Sequence, residues 1–179
     1  MIVVSGPPGS GKTTLAHAIA RAVPCPVICR DEIKEGLFHA EGGDKAVWGG
    51  PISQRTFETF FGVIRLLLRA GVTVVAEAAF QDRLWRPDLE ALADLADIRI
   101  IHCAVDPALA RERIARRLAD EKASRAAHPD RELLAALVSG KLSLESFEPI
   151  SLFAPSLRVN TTDGYDPDLH RILAFVNQK

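Results

Sequence analysis

Eight residues near the start of the chain have the types and spacing of a phosphate-binding loop. The segment 6–13 reads Gly-Pro-Pro-Gly-Ser-Gly-Lys-Thr and fits the pattern G-x-x-x-x-G-K-S/T. Its glycines allow backbone N–H groups to approach a polyphosphate, which a Cβ atom would obstruct. The residues expected to hold nucleotide phosphates are Gly6, Pro7, Pro8, Gly9, Ser10, Gly11, Lys12, Thr13 and Thr14.

Two side chains at the end of this loop add chemistry of their own. Lys12 can reach the β- and γ-phosphates of a nucleotide as a point charge. Thr13 places a hydroxyl where it can bind Mg²⁺, at the N-terminus of a helix whose dipole favours anions. An accidental glycine-rich turn is disfavoured because the Lys-Thr pair has the right offset and a buried-type strand precedes the loop.

Two acidic residues come directly after or near the ends of buried-type strands. Asp31 follows the strand predicted at 27–29, and Glu77 follows the strand predicted at 73–76. Open α/β sheets bind ligands at the carboxyl ends of their strands. Asp31 could serve there or cap the next helix, and the two roles are compatible. Glu77 is a candidate ligand of Mg²⁺ or of its water shell, unless backbone groups or an arginine satisfy it.

Arginines dominate a helix in the second half of the chain. They are Arg111, Arg113, Arg116 and Arg117, and Lys122 and Arg125 follow soon after. Arg113 lies one turn from both Arg116 and Arg117, so several guanidinium groups can converge on one face. An ordinary solvated helix face would have the same composition. In a phosphoryl-transfer enzyme, however, such a cluster would cover the γ-phosphate and neutralise its charge in the transition state.

The elements that must position these groups alternate between strand and helix. Strands are predicted at 2–4, 27–29, 73–76, 98–105 and 157–159. Between them, apolar residues recur at helical spacing. This alternation predicts an α/β fold in which helices cover both faces of a parallel sheet. A chain of 179 residues is one domain by default.

Two connections are candidates for substrate contact. Residues 39–53 are rich in glycine and are predicted to form a mobile connection, either a substrate loop or a plain surface loop. Residues 80–87 are predicted to form a polar and aromatic connection in which Gln81 and Trp85 could line a pocket. The phenylalanines at 57, 60 and 61 instead share a helical stripe, which predicts that they belong to the core.

Composition limits the partners and the location. The net charge of −1 gives no bulk attraction to nucleic acid or anionic lipid. No apolar run reaches the length of a membrane span, and Met1 leads straight into the first strand, so we expect a cytoplasmic protein without a membrane partner. Cys25, Cys29 and Cys103 lack C-x-x-C spacing and an accompanying histidine cluster, which predicts reduced thiols and no zinc site.

Taken together, these motifs resemble those of the small P-loop kinases grouped with chloramphenicol phosphotransferase and zeta toxin. The resemblance spans nearly the whole chain. It rests on 6–14, 30–35, 74–80, the arginines from 111 to 125 with His128 and Pro129, and 160–164. It implies a P-loop NTPase fold with three layers and a five-stranded parallel sheet, formed by a single domain over 1–179 with a helical lid at about 111–130. It also implies ATP and Mg²⁺ as cofactors.

The resemblance further implies roles for individual residues. Asp31 matches the aspartate that accepts the proton of a substrate hydroxyl, and Glu77 stands where the group more often has an aspartate. The lid arginines would be Arg113, Arg117 and Arg125. The turn formed by Asn160, Thr161 and Thr162 matches the region that flanks the adenine, mainly through backbone contacts. Substrate pockets differ across the group, so no substrate is implied.

The leading hypothesis is a kinase that transfers the γ-phosphoryl group of ATP to a hydroxyl of a small molecule. The alternative is a nucleotide-dependent switch or ATPase that acts on a protein partner, in which Asp31 is only a helix cap. A polynucleotide 5′-hydroxyl kinase is disfavoured, because the charge is near neutral and no groove of interleaved basic and aromatic residues is evident. Nothing in the sequence indicates the oligomeric state.

Overall fold

The computed structural model describes residues 1–41, 50–119 and 130–178. In these ranges the strands form one open sheet in the order β2-β3-β1-β4-β5, and every neighbouring pair is parallel. The strands are β1 (Ile2–Ser5), β2 (Val27–Cys29), β3 (Val75–Glu77), β4 (Arg99–Ala104) and β5 (Ser156–Asn160). The predicted α/β fold class with a five-stranded parallel sheet is therefore confirmed.

Helices connect successive strands in the way that parallel pairing requires. They are α1 (Lys12–Ala22), α2 (Arg30–Ala40), α3 (Pro51–Arg69), α4 (Asp82–Ala93), α5 (Pro107–Ala119), α6 (Asp130–Val138) and α7 (Leu169–Val176). None of the helices in the described ranges combines the length and the apolar character that crossing a membrane would need.

Successive side chains of the strands point to opposite faces of the sheet, and each face packs into its own hydrophobic core. Val3 points to one face, where it packs with the phenylalanines of α3 and with Leu89 of α4. Val4 points to the other face, where it packs with Leu15 of α1 and with Ile172 of α7. Strand β1, at the centre of the sheet, is apolar because both of its faces are buried, as expected of a parallel sheet, whereas the edge strand β5 has exposed polar residues.

A third apolar cluster joins α5 to α6. Ala110 and Ile114 of α5 contact Leu133 and Leu137 of α6, and all four side chains are buried. Asp106 accepts hydrogen bonds from the N–H groups of the residues at 108 and 109, so it caps α5. The segment between these helices, which forms much of the predicted lid, lies outside the described residues.

Two predictions about connections need correction. Residues 39–40 belong to α2 and residues 51–53 belong to α3, so the expected mobile connection is shorter than 39–53; residues 42–49 lie outside the described residues. The segment 82–87 is helical, although Pro87 removes a helix hydrogen bond. Trp85 and the leucines at 89 and 92 form one buried stripe of α4, and their burial outweighs that loss.

Candidate active site

The glycines of the predicted phosphate loop are held in conformations that other residues rarely adopt. Gly9 and Gly11 have φ angles of 78° and 74°, in the left-handed region. A Cβ atom on Gly9 would lie 2.6 Å from the carbonyl oxygen of Ala110 in α5. The loop is thus a backbone cradle that side chains would fill, and α1 begins directly after it at Lys12. This geometry fits a polyphosphate group at the helix N-terminus.

Lys12, Thr13 and Glu77 meet at the end of β1 and β3. Lys12 Nζ lies 3.8 Å from Glu77 Oε1, which allows charge attraction but exceeds hydrogen-bond distance. The Thr13 hydroxyl donates to Glu77 Oε2 at 3.2 Å. The two residues predicted to bind Mg²⁺ are therefore adjacent, although the sequence separates them by 64 positions.

Glu77 is a buried carboxylate whose bonding capacity is not exhausted. Its side chain is 1% exposed, and Oε1 has no hydrogen-bond donor among the described residues. Burial raises the pKa of Glu77, and the Lys12 ammonium opposes this shift. A buried acid with an unused oxygen, beside a threonine hydroxyl, is a donor set that fits a magnesium ion.

Asp31 lies beside this group because β2 and β3 are neighbours. Cys29 pairs with Glu77 in the sheet register, and Asp31 follows two residues later, in the first turn of α2. Its charge contributes to raising the pKa of Glu77. The Asp31 carboxylate accepts a hydrogen bond from Arg30 at 2.9 Å. The N-cap position of α2 belongs to Cys29, so the alternative that Asp31 is the helix cap is wrong.

Arg113 holds α5 against both sides of the predicted nucleotide site. Its guanidinium group donates to the carbonyl oxygen of Gly9 at 3.3 Å and to that of Thr161 at 2.8 Å. A longer contact reaches the carbonyl oxygen of Thr162 at 3.4 Å. Arg113 therefore links the phosphate loop to the turn after β5.

Arg117 lies one turn further along α5 and binds a carboxylate. Its Nε donates to Asp130 Oδ2 at 2.7 Å, and its Nη2 donates to Asp130 Oδ1 at 2.5 Å. This two-pronged pair fixes α5 to the first residue of α6. Arg111 and Arg116 are exposed, so α5 presents Arg113 and Arg117 to the site and the other two to solvent. Arg125, the third predicted lid arginine, lies outside the described residues.

The turn after β5 shapes the far wall of the site. The buried hydroxyl of Thr161 donates to the carbonyl oxygen of Ser10 at 2.7 Å, which fixes the turn to the phosphate loop. The Asn160 side chain accepts from the N–H of Thr162, and the Thr162 hydroxyl accepts from the N–H of Asp106. These side chains are used within the protein, so the turn offers mainly backbone to a ligand.

A cavity of about 380 Å³ opens between the phosphate loop, α5 and this turn. Its lining residues are Gly9, Gly11, Thr14, Arg113, Arg117, Thr161, Gly164 and Tyr165. The cavity thus contains residues from three segments that the sequence singled out separately. Tyr165 was missed because a lone tyrosine in a turn carries no motif.

A second group of donor atoms was not expected from the sequence. His17 Nε2 lies 2.9 Å from Glu32 Oε1 and 3.8 Å from Cys29 Sγ. The sequence did not indicate that His17 lies beside Cys29, because α1 and β2 meet only in the folded chain. All three atoms lie within 4.8 Å of one another, close enough to share a metal ion. His17 and Glu32 already pair with each other, so the cluster is also complete without an ion.

Trp85, a candidate pocket residue, belongs to the core. Its side chain is buried among Phe57, Phe60, Phe61 and Phe80. The edge of this aromatic cluster nevertheless reaches the site, because the Arg30 guanidinium lies 5.9 Å from the centre of the Trp85 ring. Gln81 occupies the N-cap position of α4 without capping it through its side chain.

Comparisons with known proteins agree with this fold. The AAA domain family (AAA_33) matches residues 1–138. No curated protein sequence has significant similarity to the chain. The crystal structure of a candidate kinase from Chloroflexus aurantiacus is 25% identical, with a TM-score of 0.83 over 99% of this chain and 96% of that chain.

Two further solved structures share the fold at lower identity. The APS kinase of Mycobacterium tuberculosis, in complex with AMPPNP and APS, is 19% identical with a TM-score of 0.63, covering 99% of this chain and 97% of that chain. A gluconokinase from Sinorhizobium meliloti is 21% identical with a TM-score of 0.59, covering 98% of this chain and 90% of that chain. The fold described above is that of P-loop kinases.

Proposed function

Because the chain belongs to the AAA domain family that matches residues 1–138, we propose that it is a kinase that transfers the γ-phosphoryl group of ATP to a hydroxyl of a small molecule. The observation that carries this proposal is the position of Asp31. Asp31 is a carboxylate beside the Lys12–Glu77 pair, where it can accept the proton of an attacking hydroxyl. The similarity to solved structures that are described as kinases supports the same activity.

In this proposal each group has one role. The backbone of the phosphate loop binds the β- and γ-phosphates, and Lys12 neutralises their charge. Thr13 and Glu77 would hold Mg²⁺, which would supply positive charge to help neutralise the phosphates. Asp31 orients the acceptor hydroxyl and takes its proton as the oxygen attacks. Arg113 and Arg117, with Arg125, would contact the nucleotide from the lid side.

The closer assignment to the chloramphenicol phosphotransferase and zeta toxin group stays a prediction, as do the single domain over 1–179 and the cytoplasmic location.

Adding an acceptor distinguishes this proposal from the alternative of a switch or ATPase. We expect ADP release from Mg-ATP to rise sharply when a pool of hydroxylated metabolites is added, and the phosphorylated product to appear by mass spectrometry. An unchanged rate of ADP release with every pool, together with a rise on adding a protein partner, would favour the alternative.

Lys12→Ala provides the matching test of the site. Removing a charge that is preorganised for the transition state should lower kcat by at least about 10²-fold. Circular dichroism should show an intact fold. The control is Lys141→Ala, at an exposed lysine outside the site, which should behave as wild type. Near-normal turnover by a folded Lys12→Ala protein would exclude Lys12 from the reaction.

A further inference from the structure

Three side chains of the types that bind zinc meet between α1 and the start of α2. His17 lies in α1, Cys29 ends β2, and Glu32 lies in the first turn of α2. One donor atom of each lies within 4.8 Å of the other two, and within the ranges that the structure describes this is the one place where three such atoms meet. Imidazole nitrogen, thiolate sulfur and carboxylate oxygen are the ligands that Zn²⁺ takes in proteins.

The spacing of these atoms fits a tetrahedral ion. With the bond lengths usual for zinc, tetrahedral angles separate a sulfur ligand from a nitrogen ligand by roughly 3.6 Å, and a nitrogen from an oxygen by roughly 3.3 Å. In the structure, Cys29 Sγ lies 3.8 Å from His17 Nε2, and His17 Nε2 lies 2.9 Å from Glu32 Oε1. Small rotations of the two longer side chains are therefore enough to admit the ion.

The cluster is open to solvent on one side. Cys29 is only 2% exposed, whereas the side chains of His17 and Glu32 are 38% and 41% exposed. A zinc ion can enter past these two side chains and keep a water molecule as its fourth ligand, as it does in other sites with three protein ligands. The direct pair of His17 and Glu32 is no obstacle, because an ion pair between exposed side chains stabilises a fold very little.

The charges around Cys29 favour a cation. Burial raises the pKa of the Cys29 thiol, and the charges of Glu77 and Glu32 raise it further. The same carboxylates attract a divalent cation, whose own charge stabilises the thiolate. Because Cys29 and Glu32 belong to the same turn of chain, an ion bound to both and to His17 would fix the start of α2 to α1.

We propose that His17, Cys29 and Glu32 form a binding site for Zn²⁺, with water as the fourth ligand. On binding, the S–H bond of Cys29 breaks and its proton goes to the solvent, while Sγ, His17 Nε2 and Glu32 Oε1 each donate an electron pair to the ion. The proton of the neutral His17 ring then lies on Nδ1. This site goes beyond the proposed function and does not depend on it. It reverses the expectation of no zinc site, which considered only spacing along the sequence.

Titration of the full chain with metal alone tests the site. The protein is freed of metal with a chelator and kept without Mg²⁺ or nucleotide. Calorimetry with zinc chloride should show one ion bound per chain, and Co²⁺ in its place should give thiolate-to-cobalt charge-transfer absorption. Cys29→Ser should lose this absorption. His17→Ala should bind zinc more than about 100-fold more weakly, since losing even an outer-shell partner of a ligand costs 10- to 100-fold.

Matched controls are available for both ligands. Cys25→Ser, at a half-buried cysteine, and His170→Ala, at an exposed histidine, should bind zinc and cobalt as wild type does. Thermal unfolding gives a second readout. Zinc at 100 times its Kd should raise the unfolding temperature of wild type by about 5–10 °C. It should leave that of His17→Ala nearly unchanged at the same concentration.

Three outcomes would overturn the proposal. The first is the absence of zinc binding to wild type. The second is equal zinc affinity in wild type and His17→Ala. The third is binding that is lost in Glu77→Gln but kept in His17→Ala, which would place the ion at the proposed magnesium site. Because these assays contain no nucleotide or acceptor, their result does not depend on whether the protein is a kinase.

Discussion

Replacing the Asp31 carboxylate with an amide tests whether its charge or only its shape is needed for the reaction. Asp31→Asn keeps the size of the side chain but cannot accept a proton from an attacking hydroxyl. Positioned proton transfer contributes roughly 10²–10⁴-fold to rate, so acceptor-dependent ADP release should fall by that order while ATP binding stays nearly unchanged. Asp94→Asn, at an exposed position on the far end of α4, is the control. If Asp31→Asn transfers at the wild-type rate, the base is another residue, with Glu32 and Glu77 the next candidates.

Glu77 gives a prediction about stability and pH. Because its pKa is raised in the folded state, folding favours the protonated acid. The resulting stabilisation is fully present below the ordinary pKa of 4.5 and is lost as the pH rises through the raised value. Glu77→Gln cannot titrate, so its unfolding temperature should vary less with pH over this range than that of wild type, in the absence of Mg²⁺ and nucleotide. Equal pH dependence in both proteins would show that Glu77 is not strained by burial.

At the scale of elements, α5 and α6 are joined by the pair of Arg117 and Asp130. Arg117→Ala and Asp130→Asn both break this pair and should loosen the two helices to a similar extent. Only Arg117→Ala also removes a cation from the cavity. We propose that Arg117 turns to the γ-phosphate when ATP binds. The kcat of Arg117→Ala should then fall by about 10³-fold, by analogy with arginine fingers. The kcat of Asp130→Asn should change far less.

Equal kinetics in these two variants would contradict this role. In that case Arg117 serves only to fix α6 to α5, and the arginines of α5 do not take part in the reaction. Thermal unfolding of both proteins, measured in parallel, keeps the loss of helix packing separate from the loss of nucleotide contact.

The element scale also shows what the sequence could predict. The strands and most helices follow from local patterns, because burial of β-branched runs and helical stripes is visible in single segments. The start of α4 was predicted too late in the chain, because Pro87 indicated a connection. The burial of Trp85 outweighs the local effect of this proline, so the helix begins before it. The pairing of Arg117 with Asp130 could not be predicted, because it depends on how two helices pack. The same is true of His17, which meets Cys29 only after α1 folds back along β2.

For the whole molecule, the site draws on distant parts of the chain. The phosphate loop, the first turn of α2, the end of β3, α5 and the turn after β5 all contribute residues. Nucleotide binding should therefore stabilise the fold as a unit. A non-hydrolysable ATP analogue with Mg²⁺ at 100 times its Kd should add about 2.7 kcal/mol to the free energy of unfolding.

This stabilisation is measured by denaturant unfolding with and without the analogue. Lys12→Ala, which removes a phosphate contact, should gain much less at the same analogue concentration. If the analogue leaves wild-type unfolding unchanged, the cavity beside the phosphate loop is not a nucleotide site.

Gly9 has a consequence for the history of this sequence. The phosphate-loop pattern leaves its position open. In this fold, however, a Cβ atom there would meet the backbone of Ala110 at 2.6 Å. The obstruction is a main-chain carbonyl, so no substitution at 110 can relieve it. In descendants that keep α5 in this place, position 9 should remain glycine while position 110 drifts among small residues. A lineage that has lost the glycine at 9 should be one in which the arginine helix has moved away from the loop.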